Sequence, residues 1–145
     1  MTFLEKWQTG ILSHSAEETE QLAAELANEI PEDWVLALHG TLGVGKTTFV
    51  RGLARAWGIT GTITSPTYTL FNIYKGKRNL VHLDAYRIES QAEMENLLLE
   101  EFLVPPFCLA VEWPRNELLV DWNEKCWHLY LSIKGENQHF IQLKF

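Results

Sequence analysis

Apolar and polar positions along the chain alternate between two periods. Trp34-Val35-Leu36-Ala37-Leu38 is a short apolar run of buried-strand length. Phe107-Cys108-Leu109-Ala110-Val111 is a second, whose unbroken apolar character suits a central parallel strand covered on both faces. Other stretches carry helical spacing. Thr19, Leu22, Ala23, Leu26 and Ile30 share one face, as do Phe49, Val50, Leu53, Ala54 and Trp57. The first of these opens on Ser15-Ala16-Glu17-Glu18, a capping-box sequence, and stops at Pro31. A second box, Ser90-Gln91-Ala92-Glu93, predicts a helix carrying Met94, Leu97, Leu98, Leu99, Phe102 and Leu103, broken by Pro105-Pro106. Residues 3 to 12 predict a strand. Alternation up to Tyr74, the turn Lys75-Gly76-Lys77-Arg78 and the run Asn79–Asp84 predict a hairpin. Residues 126–133 and 139–145 predict two strands paired as an antiparallel hairpin at a sheet edge.

Between the first apolar run and its following helix lies Gly40-Thr41-Leu42-Gly43-Val44-Gly45-Lys46-Thr47, which matches G-x-x-x-x-G-K-[ST]. Strand, glycine loop, helix is the setting in which this pattern binds phosphate. Glycines let the backbone wrap closely around a charged group, and the N–H groups of the loop and helix N-terminus converge on phosphate oxygens. Lys46 supplies a point charge to the outer phosphates, and the Thr47 hydroxyl is placed to bind Mg²⁺. Thr48 is a weaker substitute, because the pattern points its side chain elsewhere. The dinucleotide fingerprint is absent, since Thr48 stands where its third glycine belongs.

Four further segments bear on a nucleotide. Leu80-Val81-His82-Leu83-Asp84 is an apolar run ending in an acid, which in phosphate-loop NTPases faces Mg²⁺. Glu112 ends the Phe107 run and competes with Asp84 for the metal or the attacking water; Trp113 follows it and is a candidate site contact. The hydroxyl-rich stretch 62–69, with Ser65 and Thr67 around Pro66, is placed where switch segments sense a γ-phosphate. Ser15 caps a helix and also stands where a loop reaches a nucleotide base. Arg87 reads as an ion-pair partner of Asp84.

The 145 residues fit one domain, 1–145, with a real core. A formal charge of −7 argues against broad nucleic-acid or membrane binding through a basic face. Phosphate capture by local dipoles and one lysine is untouched by that argument. No run approaches a membrane span, and the N-terminus lacks a secretory pattern, so a cytoplasmic location is expected. Cys108 and Cys126 lack metal or redox spacing and read as buried free thiols.

The set Gly40–Thr47, Ser65-Pro66-Thr67, His82-x-Asp84-x-Tyr86-Arg87 and Glu112-Trp113-Pro114 resembles the bacterial TsaE (YjeE) family. These are small ATPases required for making threonylcarbamoyladenosine in tRNA. The resemblance implies an α/β, P-loop NTPase fold, with a mixed β-sheet flanked by helices and with ATP and Mg²⁺ at the loop. It implies Thr47 and Glu112 near the metal, Asp84 in a Walker B-like role, and a nucleotide-sensing Ser65–Thr67 segment. It also implies the TsaB–TsaD pair as partners, with TsaD transferring the threonylcarbamoyl group and no tight tRNA contact by this chain. A small-molecule kinase would usually add a lid with paired arginines, and only Arg87 and Arg115 lie far along the chain. A regulatory GTPase would carry an Asn/Thr-Lys-x-Asp base-reading segment, which is missing. A non-enzymatic, nucleotide-dependent binding module is the remaining alternative.

Overall fold

The computed structural model describes residues 1–41, 43–64, 66, 70–86, 88–114 and 119–145. Its seven strands are β1 (Ile11–Ser13), β2 (Trp34–His39), β3 (Phe71–Tyr74), β4 (Asn79–Asp84), β5 (Phe107–Glu112), β6 (Cys126–Gly135) and β7 (Gln138–Lys144). They form one sheet in the order β1-β7-β6-β2-β5-β4-β3. β2 runs parallel to both β5 and β6, and β4 runs parallel to β5. β3, β7 and β1 join by antiparallel pairing, so the sheet is mixed. The α/β fold with a mixed sheet and flanking helices is the one expected.

Both faces of the parallel centre are covered, which is why β2, β4 and β5 read as near-continuous apolar runs. On one face α2 (Ala16–Ala27) and α3 (Lys46–Ala56) pack over Leu36, Leu38, Leu80, Cys108, Ala110 and Leu129. On the other, α4 (Gln91–Asn96) and a 3₁₀ turn at Leu99–Phe102 cover Val35, Val81, Leu83, Leu109 and Val111. Ser15 caps α2 by accepting from the Glu18 N–H at 3.0 Å, and Ser90 caps α4 likewise through Glu93 N–H at 3.2 Å. Both cysteines are free and buried, with burial pushing the Cys108 thiol up to about 12 and the Cys126 thiol up to about 11.

Three expectations are corrected. Residues 3–12 are not one strand: Phe3–Thr9 is a helix, α1, and only Ile11–Ser13 is extended. Thr2 and Glu5 form a complete capping box at its start, and Trp7 is buried edge-on against Phe49 at 6.1 Å. The β6–β7 hairpin is not at an edge. β6 pairs with β2, while β1 closes the far side of β7. Finally, α4 stops at Asn96 instead of running through Leu103. Leu97, Leu98 and Leu99 are consecutive, and one helical stripe cannot bury all three. The chain breaks at Leu98, which takes φ 52°, so that Leu99 turns inward.

Candidate functional site

The site forms where β2, β4 and β5 end and α3 begins. Gly45 caps α3 with φ 97° and no side-chain hydrogen bond, so the first amides of this 11-residue helix are left without a side-chain cap. Gly43 (φ 82°) and Gly45 adopt left-handed backbone that a Cβ would strain, and a Cβ on either would meet nothing within 4 Å. Backbone donors and a helix dipole therefore lie beside open space at Gly43 and Gly45, which suits a chain of phosphates.

Lys46, 5 % exposed, directly follows Gly45. Its Nζ donates to Gly40 O at 2.7 Å and rides over the Trp113 indole, 3.4 Å from the ring centroid. Burial holds the ammonium below the usual lysine range, while the nearby Glu112 and Asp84 carboxylates oppose that shift. The Thr47 hydroxyl points at Glu112 Oε2 at 3.4 Å. That same oxygen accepts from Nε2 of His82, whose ring is fully buried and whose Nδ1 has no partner among the described residues. Asp84 and Glu112 are register neighbours on parallel strands. The sheet thus delivers two carboxylates to one end, on the face that carries α3. Asp84 Oδ1 accepts from Tyr86 N–H at 3.0 Å and fixes the turn after β4.

A cavity of about 480 Å³ opens here, lined by His39, Gly40, Thr41, Tyr86, Trp113 and Pro114. Tyr86 and Trp113 meet edge to face at 5.2 Å. His39 stacks on Tyr130 at 4.3 Å and shares a 2.9 Å hydrogen bond with His128. Burial, then the His128 and Lys46 charges, lowers the His39 pKa to about 4. His128 is lowered too, by burial.

The fold gathers Gly40, Thr41, Gly43, Val44, Gly45, Lys46, Thr47, Asp84, Glu112 and Trp113 at one end of the sheet. Thr48 follows them into α3. Ser15 caps α2 and does not line the cavity. Leu42, Ser65, Thr67 and Arg87 lie outside the described residues. Sequence reasoning missed His39, whose signal was its place directly before Gly40. It also missed the role of His82 as the partner of Glu112. Among the described residues no group of three or more His, Cys, Asp or Glu side chains could hold a metal. A hydroxyl with one or two carboxylates does fit Mg²⁺, which keeps waters and shares substrate phosphates in place of a full protein cage.

The model of the family described as threonylcarbamoyl adenosine biosynthesis protein TsaE matches residues 13–141. The chain belongs to the TsaE family. A TsaE relative in Synechocystis is 45% identical over 103 residues, covering 68% of this chain and 65% of that protein. One in Rickettsia typhi is 35% identical over 141 residues, covering 90% of this chain and 91% of the relative. Both are called tRNA threonylcarbamoyladenosine biosynthesis protein TsaE. The aligned part of this TsaE chain thus spans about two thirds of the first and nearly all of the second. The crystal structure of Bacillus subtilis YdiB superposes with a TM-score of 0.67 at 30% identity, over 91% of this chain and 81% of that one. No helix among the described residues is long and apolar enough to cross a membrane.

Proposed function

We propose that this TsaE chain is a Mg²⁺-dependent ATPase of the cytoplasm that works in forming N6-threonylcarbamoyladenosine in tRNA, together with the TsaB–TsaD complex. The observation that carries the ATPase reading is that Gly43, Gly45 and the uncapped N-terminus of α3 lie together with the Thr47–Glu112 pair. Family membership and the names of the relatives support the tRNA pathway.

In this reading the loop amides and the first turn of α3 donate to the phosphate oxygens. Lys46 swings from Gly40 O to the outer phosphates, and its new charge-assisted bond replaces one already made inside the chain. Thr47 and Glu112 would hold Mg²⁺, with Asp84 beside Glu112 on the neighbouring strand. Bound there, Mg²⁺ would supply positive charge to offset the negative charge that develops on the phosphate during hydrolysis. His82 orients Glu112 from behind and, being fully buried, keeps that carboxylate from turning inward. Lys46 is the only cation that the described residues bring to the phosphate loop, so hydrolysis by the chain alone is slow and TsaB–TsaD completes the site. The acidic balance leaves tRNA contact to those partners.

Reconstitution tests the proposal. Threonylcarbamoyl transfer by TsaB–TsaD is measured with wild-type chain, with Lys46→Ala and without the chain. Transfer and ATP turnover should need the wild-type chain. Equal transfer in all three reactions would refute the proposal.

A further inference from the structure

The layer opposite α2 and α3 has a lopsided composition. From Ile88 to Pro114 the sequence contains no lysine, arginine or histidine, while Glu89, Glu93, Glu95, Glu100 and Glu101 fall within its first fourteen positions. All five are exposed, and none takes part in an ion pair among the described residues. Large apolar side chains stand among them: Leu98 is 55% exposed, Phe102 40% and Val104 56%. Phe102 meets Phe71 ring to ring at 5.3 Å, which carries the patch on to β3, where Ile73 is 39% exposed.

Leu98 is the telling residue. The chain must break there to turn Leu99 inward, and the break sets φ at 52°. Glycine or asparagine accepts that backbone with less strain, and a polar side chain would suit the exposure. A leucine is disfavoured on both counts, so folding alone does not account for it. An exposed apolar strip bordered by carboxylates repels nucleic acid and anionic lipid. It matches a protein surface of opposite sign, whose charges steer the encounter and whose recess takes the apolar side chains.

We propose that α4 and the Leu99–Phe102 turn form a docking surface for a protein partner presenting an apolar depression rimmed by lysines and arginines. Leu98 and Phe102 are the anchors, and the five glutamates set orientation and association rate. The inference rests on the functional reading above in taking TsaB–TsaD as that partner.

The experiment measures binding of the chain to immobilised TsaB–TsaD, with a non-hydrolysable ATP analogue, at low and high salt. Wild type is compared with Leu98→Asn, with the triple reversal Glu95→Lys, Glu100→Lys, Glu101→Lys, and with Glu25→Lys on exposed α2 as a control. Leu98→Asn should bind about tenfold more weakly, as expected for loss of an apolar anchor, with an unfolding midpoint equal to or above wild type. The triple reversal should slow association at low salt and flatten the salt dependence, and Glu25→Lys should change affinity less than about twofold. Wild-type binding that Leu98→Asn and the triple reversal leave intact overturns the docking surface and spares the partnership. No binding by wild type overturns the partnership and this inference with it.

Discussion

Replacing Glu112 by Gln and by Ala separates its place in the fold from its place in the chemistry. The carboxylate is 5% exposed and bonded to a histidine that is fully buried. Glutamine keeps the shape and an acceptor oxygen, so a charge-assisted bond becomes a neutral one. Charged hydrogen bonds are worth about 1.5–3 kcal/mol and neutral ones about 1, so the cost is about 1 kcal/mol. For a chain of this size that lowers the melting midpoint by about 4 °C. Alanine removes the acceptor and leaves the His82 N–H unpaired in the core. A stranded buried donor costs about 1–3 kcal/mol, and the lost packing raises the total to about 2–4, or about 8–15 °C. If Glu112 also holds Mg²⁺, both variants should lose metal-dependent ATP hydrolysis by about a hundredfold or more, since the metal supplies several kcal/mol of stabilisation in the transition state. Nucleotide affinity measured in EDTA should hold. Thermal unfolding, calorimetry and phosphate release with TsaB–TsaD present read the three quantities. An alanine variant as stable as wild type would refute the packing argument. A glutamine variant that turns over normally would refute the metal role.

Three other outcomes are expected. Lys46→Ala should weaken ATP binding, by at most about a hundredfold, on a protein that still folds, read by calorimetric titration, because one charge-assisted phosphate contact is lost and the contacts Lys46 gives up to make it offset part of that loss. Gly52→Ala should destabilise the chain although alanine is the better helix former by about 1 kcal/mol. A Cβ there would fall 2.3 Å from Glu20 O on α2, and overpacking a close helix pair costs about 1–3 kcal/mol, so a raised unfolding midpoint would show that the helices simply move apart. His39 is lowered from 6.5 to about 4, so between those values the unfolded chain binds the proton and the folded chain resists it. Stability should therefore drop as pH falls through that window, and His39→Gln should reduce the drop; identical pH profiles of the unfolding midpoint would exclude His39.

Much of the site was legible because it lies in contiguous pattern. The loop residues 40–47 carry their chemistry locally, and Asp84 and Glu112 each end an apolar run, so both reach the same sheet end once the runs are parallel strands. What escaped was non-local. His82 looked like one more polar residue two before Asp84, and only the pairing of β4 with β5 brings it to Glu112. His39 meets His128 across 89 positions of chain. α1 was mistaken for a strand because its seven residues offer too little periodicity, and the box at Thr2 and Glu5 was the overlooked signal. The edge assignment of the last hairpin failed because nothing in its own sequence tells that β6 pairs with β2.

The resting contacts of Lys46 bear on how the site trades stability for binding. A buried ammonium without partners would be costly, and the chain meets that cost from within, with one carbonyl and one indole face. Any phosphate must replace both before it gains. The displaced cation–π contact alone is worth about 0.5–2 kcal/mol, so the net contribution of Lys46 to nucleotide affinity is smaller than its gross attraction. Trp113 follows Glu112 directly and sits at φ 57°, where a bulky side chain is strained. Release of Lys46 would remove one of the two contacts that hold the indole among the described residues, the other being Tyr86, while Glu112 would stay bonded to His82. On the proposed reading, a bound nucleotide would move the aromatic wall of the cavity and leave the carboxylates in place. Six tryptophans blur a fluorescence signal, but the part of an ATP-induced emission change that disappears in Trp113→Phe isolates this motion, and a change that survives intact would place the movement elsewhere.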